Sequence, residues 1–180
     1  LMTTGVQNTL LGSFAGDSLT DADYNVAIGY GSLDADTLGS KSTAIGKSAL
    51  TNQNFTSATD SFNTAVGFHS GLLVTTGVEN TFVGGLAGDG TDDGVGNTAM
   101  GWAALSANCG DANTGIGLGA LNECTGADNT ALGATAGNRI TSGTNNMMLG
   151  HDSGETGSPG GTITTASNII VLGDESVAAF

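Results

Sequence analysis

The chain has 180 residues and a formal charge of -14, set by seventeen Asp and Glu against Lys41, Lys47 and Arg139. So acidic a chain repels phosphate backbones and anionic lipid surfaces, which argues against nucleic acid as a partner. Hydrophobic content of 38% is too high for a disordered acidic tail. Thirty-one glycines with one proline, Pro159, call for many tight turns without the Gly-X-Y period of collagen. No run of eighteen apolar residues is present, so no membrane insertion by a helix is expected.

In chain order, the organising feature is a five-residue phrase that returns about every sixteen or seventeen residues. A fixed period of this kind is the mark of a stacked-repeat architecture, because each unit is too small to bury its own apolar face. The chain opens at Leu1 in mid-repeat, without a basic and apolar leader, and is expected to be part of a longer protein. The phrase then runs Asn8 to Gly12, Asn25 to Gly29, Ser42 to Gly46, Asn63 to Gly67, Asn80 to Gly84 and Asn97 to Gly101. It continues as Asn113 to Gly117, Asn129 to Gly133 and Asn146 to Gly150, and closes on a degenerate copy, Ile169 to Gly173. A second glycine precedes most phrases by three residues, as Gly5, Gly39, Gly77, Gly94, Gly110, Gly126 and Gly143, with Ala22 and Asp60 as exceptions. Two glycine corners per unit fit a chain that folds back through conformations unfavourable to a Cβ.

Period-two reading of a phrase puts Thr64 and Val66 on one face and Asn63 and Ala65 on the other. The aliphatic column Leu11, Ile28, Ile45, Val66, Val83, Met100, Ile116, Leu132 and Leu149 is expected to form the core. The threonines two residues earlier (Thr9, Thr43, Thr64, Thr81, Thr98, Thr114, Thr130) would then point inward with it. Small residues such as Ala15, Ser32, Ala49 and Ser70 leave room for a close backbone or a neighbouring chain. The asparagines Asn8, Asn25, Asn63, Asn80, Asn97, Asn113, Asn129 and Asn146 would stack at about 4.8 Å as a structural ladder. Glycine density and short β-rich phrases exclude a helical reading. The fold expected is all-β, a parallel β-solenoid or β-roll of about ten repeats. Solenoid repeats occupy 1–154, a Pro/Gly-containing insertion 155–168, and a last degenerate repeat 169–180 leads toward a missing C-terminal region. A second insertion, Thr51 to Phe62, is about four residues longer than its counterparts. Both insertions are expected to emerge as loops.

Candidate chemistry is sparse. Cys109 and Cys124 fall in successive units as diagonal neighbours, which leaves open both a disulfide and two buried thiols. With no CxxC and no paired histidines, zinc is not suggested. His69 and His151 lie about five coils apart, or about 24 Å, and read as separate surface residues. Asp21 with Asp23, and Asp92 with Asp93, are turn carboxylates, but neither pair sits in an EF-hand loop or a calcium nonapeptide. No nucleophile elbow, phosphate loop or paired-carboxylate geometry stands out, so neither catalytic residue, metal nor cofactor is expected. Cleavage of a polysaccharide, the enzymatic rival, would need carboxylates converging in a groove. Tyr30, Phe68 and Trp102 follow the phrase glycine in alternate units and are candidates for receptor or subunit contact.

The phrases Asn25-Val26-Ala27-Ile28-Gly29 and Ser42-Thr43-Ala44-Ile45-Gly46 resemble repeats of trimeric adhesin heads, which form β-rolls. The fuller pattern Asn97-Thr98-Ala99-Met100-Gly101-Trp102-Ala103-Ala104-Leu105, with its Gly-x-x-Asn return, is similar to another group. That group is the repeat region of bacteriophage tail fibres and tailspikes that end in a self-cleaving, endosialidase-type intramolecular chaperone. Asn168-Ile169-Ile170-Val171-Leu172-Gly173-Asp174-Glu175-Ser176 resembles the segment that closes the repeats before the chaperone. The resemblance implies a homotrimeric fibre segment on a virion, extracellular, reaching toward a host cell-surface glycan or protein. Its alternatives are a bacterial surface adhesin head and a single-chain glycan- or ice-binding solenoid.

Overall fold

The computed structural model describes residues 3–158, 160–174 and 176. Pro159 of the expected insertion, Glu175 and residues 177–180 of the last repeat, and the opening Leu1 and Met2 lie outside the described residues. The strands are β1 (Thr9–Leu11), β2 (Val26–Ile28), β3 (Gly39–Ser40), β4 (Thr43–Ile45), β5 (Thr59–Asp60) and β6 (Thr64–Val66). They continue with β7 (Thr81–Val83), β8 (Thr98–Met100), β9 (Thr114–Ile116), β10 (Thr130–Leu132), β11 (Met147–Leu149) and β12 (Ile170–Leu172). Ten of them form one parallel sheet in sequence order, and β3 pairs with β5 alone. Equivalent residues sit side by side, as in Thr64 beside Thr81, Ala65 beside Phe82 and Val66 beside Val83. The chain is an all-β parallel solenoid, as the period requires.

The period-two faces are as expected, but their orientation is reversed. Ala27, Ala44, Ala65, Ala99 and Ala131 are fully buried, with Phe82 and Met148 in the same column. The aliphatic residues one place later face outward: Leu11, Met100, Leu132, Leu149 and Leu172 are 38% to 66% exposed. The threonines share that outer face and are half-buried or exposed. Thus neither the aliphatic nor the threonine column forms the core. The reason is the short coil. A circuit of sixteen or seventeen residues encloses a narrow interior, and alanine lets the opposite wall approach to contact distance. That wall is the small-residue column, where Ala49, Ser70, Ala87, Ala104 and Ala120 are all buried within this chain. Its smallness accommodates this chain's own backbone.

Asparagine supplies the coil-to-coil bonds. The backbone N–H of Asn80 donates to Asn63 Oδ1 at 2.9 Å, and Asn63 Nδ2 donates to the Gly77 carbonyl at 2.7 Å. The same two bonds recur from Asn80 to Asn97 N and Gly94 O, both at 2.8 Å. Each buried carboxamide except that of Asn97 therefore reaches the next coil through both its oxygen and its nitrogen, mainly to backbone. Direct amide-to-amide bonds join Asn97, Asn113, Asn129 and Asn146 at 3.0–3.2 Å. Asn97 Nδ2 alone among the described buried side-chain polar atoms has no acceptor. It lies where the coil shortens to sixteen residues and Asn113 Nδ2 takes the Gly110 carbonyl. Asn80→Ala would orphan two buried backbone groups, at about 1–3 kcal/mol each. A denaturant midpoint well below that of the wild type is the expected result, whereas Asn52→Ala, on an exposed side chain, should leave it unchanged.

The phrase glycine closes each strand at a φ such as +137° in Gly84, where a Cβ would lie 2.5 Å from the Gly101 carbonyl oxygen. The second glycine has a different basis from the one expected. Gly77 is not left-handed; a Cβ there would meet the Gly94 carbonyl oxygen at 2.5 Å. Close stacking, rather than backbone conformation, selects it.

In most coils core volume is traded between two positions six residues apart; Ala65 with Gly71 and Ala131 with Gly137 are small at both, and there Leu50 and Phe82, or Leu121 and Met148, of the neighbouring coils fill the space. Ala27, Ala44, Ala99 and Gly115 are followed by the buried Leu33, Leu50, Leu105 and Leu121. Where the strand residue is large, as in Leu10, Phe82 and Met148, the later position is Gly16, Gly88 or Gly154. The Phe82 ring lies where a Cβ on Gly88 would be, at 2.5 Å. All these later residues are left-handed, with φ of 51° at Leu105 and 61° at Gly88. Leucine accepts that strain, of order 1–3 kcal/mol, because its side chain fills the core. Phe82→Ala should cost about 3–5 kcal/mol by leaving a cavity. Adding Gly88→Leu should restore part of it, although Gly88→Leu alone clashes with the ring. A double-mutant cycle from urea melts measures the coupling.

The insertions are less loop-like than expected. Within Thr51 to Phe62, Gln53 and Phe55 are buried and Thr59–Asp60 form β5. Here Ser42 replaces the ladder asparagine, and Gln53 fills the gap. Gln53 Nε2 donates to Ser42 Oγ at 2.8 Å and to the buried Asp36 Oδ2 at 2.6 Å, while Oε1 accepts from Asn63 Nδ2 at 2.8 Å. Asp36 Oδ1 is satisfied by the N–H groups of Gly39 and Phe55. In the second insertion the chain leaves at Gly154 and regains the core at Ile163, whose N–H donates to the Gly154 carbonyl at 2.8 Å.

Candidate functional site

The outward face of the ten-stranded sheet is the most extensive repeated surface. Each strand presents its first and third side chains there, so two columns run the length of the stack. One is aliphatic in every coil. The other is threonine in seven coils, with Val26, Met147 and Ile170 in the remaining strands. Neighbouring strands hold these side chains in register at about 4.8 Å.

Tyr30, Phe68 and Trp102 follow the phrase glycine and are 56%, 51% and 58% exposed. They occupy one position in every second coil, about 9.6 Å apart along the stack. Smaller or flexible residues, Lys47 and Gly85, stand between them. Tyr30 meets Phe14 edge-on at 5.6 Å between centroids. Phe68 stacks on His69 at 3.8 Å, and Lys47 Nζ lies 5.1 Å from the Phe68 centroid. Among the described residues, no loop covers the three aromatics.

The ladder asparagines Asn25, Asn63, Asn80, Asn97, Asn113, Asn129 and Asn146 are buried, and Asn8 at the first coil is half-buried. Their amides are committed to neighbouring coils, save Asn97 Nδ2. Asp21, Asp23 and Asp92 likewise accept coil-to-coil bonds, from Thr4 Oγ1, Val6 N and Thr75 Oγ1 respectively. A shallow depression beside the last strands is lined by Asp128, Asn145, Asn168, Met147 and Ile170.

Cys109 and Cys124 are free thiols, both buried. Cys109 lies 3.1 Å from Thr91 Oγ1, and Cys124 Sγ lies 3.4 Å from Asn129 Nδ2. Burial raises the Cys109 pKa, opposed by the Thr91 hydrogen bond. Burial also pushes Cys124 up, to about 11 from an ordinary 9.0. The proton is therefore held more tightly in the folded chain. The associated stability is full below pH 9.0 and is lost as pH rises through about 11. Stability of the wild type should fall by about 2–3 kcal/mol more than that of Cys124→Ala across this window. Urea melts at pH 8 and pH 11 test it.

The aliphatic face is what sequence reasoning misplaced. A signal was present: leucine stands six residues after the column only where the column residue is alanine or glycine, and Leu10, Phe82 and Met148 are each followed there by glycine. Such compensation is needed only inside a packed core. A scan against protein-family models, a search of curated proteins and a search of solved structures each found no match for this chain.

Proposed function

We propose that the chain is a structural fibre segment that assembles as a homotrimer, with the aliphatic sheet faces of three copies turned toward one another. The observation that carries this reading is the outward aliphatic residue in all ten coils. Such a continuous apolar strip on an acidic chain is stabilised by covering it, at about 25 cal/mol per Å² removed from water. A second copy offers the same strip in the same register, so one repeat spacing matches another along the stack. The resulting rod is a structural part of a virion, extending as a tail fibre toward a host cell-surface glycan or protein. A bacterial adhesin head would use the same assembly. Three copies of a weak contact on one rigid rod act together, which raises avidity without new chemistry. Tyr30, Phe68 and Trp102 are the contact residues of choice on the outside.

The outward threonine column favours a second reading, a single-chain binder of ice or glycan. A regular array of hydroxyl and methyl groups on a flat sheet is the surface that reading requires. Native mass distinguishes the two. Light scattering should give three chains per particle, resistant to SDS, and the pair Met100→Glu with Leu132→Glu should shift it to one chain. Both side chains are nearly half exposed in the single chain, so the β-type circular dichroism of the variant should persist. A folded wild-type monomer would overturn the fibre reading and leave the surface binder.

A further inference from the structure

Two adjacent corners near the end of the stack bring together His151, Asp152 and Asp174. His151 and Asp174 follow the phrase glycines Gly150 and Gly173, so they are the same position in successive coils. His151 Nδ1 lies 3.2 Å from Asp152 Oδ2 and 3.7 Å from Asp174 Oδ2. The three ligand atoms lie within 4.8 Å of one another. We propose that this triad is a binding site for a divalent first-row transition-metal ion, of which zinc is the representative, and that the ion staples the last coil to the one before it.

Four observations support the assignment. The separations suit ligands around one small ion, since metal-to-ligand bonds of about 2.0–2.1 Å at tetrahedral angles place ligand atoms about 3.3 Å apart. Each carboxylate also has one oxygen anchored away from the cluster. Asp152 Oδ1 accepts from Thr135 Oγ1, and Asp174 Oδ1 accepts from the Ser176 N–H at 2.8 Å. That leaves both Oδ2 atoms aimed at the imidazole, the outer support that orients metal ligands. Charge is the third point. A single Nδ1–H can donate along one direction, yet two carboxylates converge on it, and the pair stays net negative even beside an imidazolium. The fixed cations are engaged elsewhere: Lys41 with Asp60, Arg139 with Glu155, and Lys47 over Phe68. Finally, imidazole in the set favours zinc-like ions over calcium, which takes oxygen ligands.

The consequence is mechanical. β11 and β12 are joined by the longest connection between consecutive strands of the sheet, running from Gly150 to Ile169. An ion bound by His151 and Asp152 at its start and by Asp174 beyond β12 closes that loop, where a clip gains most from reduced chain entropy. This inference does not depend on how chains assemble.

The test is titration calorimetry of the whole chain with ZnCl₂ after EDTA treatment and dialysis, in parallel with thermal melts. One saturable equivalent per chain is expected, with a higher melting temperature. His151→Ala and the isosteric Asp174→Asn should each weaken binding at least tenfold, while His69→Ala leaves it unchanged. Cobalt should give a visible absorption band that His151→Ala abolishes. Absence of saturable zinc binding to the wild type would overturn the proposal, whatever the folding of the variants. Zinc binding unaffected by His151→Ala, or calcium bound in preference to zinc, would overturn it equally.

Discussion

The structure depends on the bond that each buried asparagine makes to the coil above it. A coil of sixteen or seventeen residues has too few apolar side chains to hold a shape alone. What it has is a closed circuit of backbone groups that must find partners. Strand N–H groups donate to the next coil, as Thr64 N does to Asn80 O, and corner groups follow, as Leu50 N does to Ser70 O. At the turn before a strand such as Thr81–Val83, the Asn63 carboxamide takes up one N–H and one carbonyl, those of Asn80 and Gly77, that pair with no other group. The carboxamide offers a donor and an acceptor at the right reach, which is why the position tolerates little else. Ser42 is informative in this respect. Its hydroxyl meets Ser61 Oγ of the next coil, and Gln53 from an insertion joins it to the Asn63 amide, donating to Ser42 Oγ and accepting from Asn63 Nδ2. The insertion thus keeps an amide in line with the ladder where asparagine is missing.

Tight stacking then dictates the rest of the interior. Coils separated by about 4.8 Å leave no space for a Cβ at the corners, so glycine recurs there for steric reasons. The narrow lumen sets a volume limit, and the chain meets it by trading size between a strand residue and the left-handed residue six places on, or with the coils on either side of Gly71 and Gly137. Placing leucine at a left-handed backbone is unusual, and it is tolerated because the surrounding coils over-determine the conformation. Core packing here is local to each coil and its neighbours. Stability in such a stack is close to a sum of coil and interface terms.

Much of this was legible in the sequence. The period gave the stacked strands, their parallel register and the structural role of the asparagines, because those follow from spacing alone. The orientation of the sheet did not follow. Val66 is more apolar than Ala65, and hydropathy favours putting the larger apolar residue inside. Lumen width decides otherwise, and width depends on the left-handed corners, which no pattern of apolar residues reports. The His151, Asp152 and Asp174 cluster was hidden for a related reason. Its members are separated by an insertion, so counting along the chain placed His151 alone, whereas stacking placed Asp174 on top of it.

The reversed orientation bears on what the outer face is for. Interior packing explains alanine, asparagine and glycine, but it makes little demand on the third strand residue, which faces outward and is half-buried at Ile28, Ile45, Val66, Val83 and Ile116. Strand propensity is one account of aliphatic residues at that position, and it covers Ile28, Ile45, Val66, Val83 and Ile116. It does not cover Leu11, Met100, Leu132, Leu149 and Leu172, which have no β-branch, or the absence of tyrosine and polar residues from a column of ten strands. A face exposed to water would admit lysine or glutamate at such positions without loss of fold. On the reading proposed above, contact between copies of the chain supplies the cause that folding does not. The regular spacing of the column makes a partner of equal spacing the best fit.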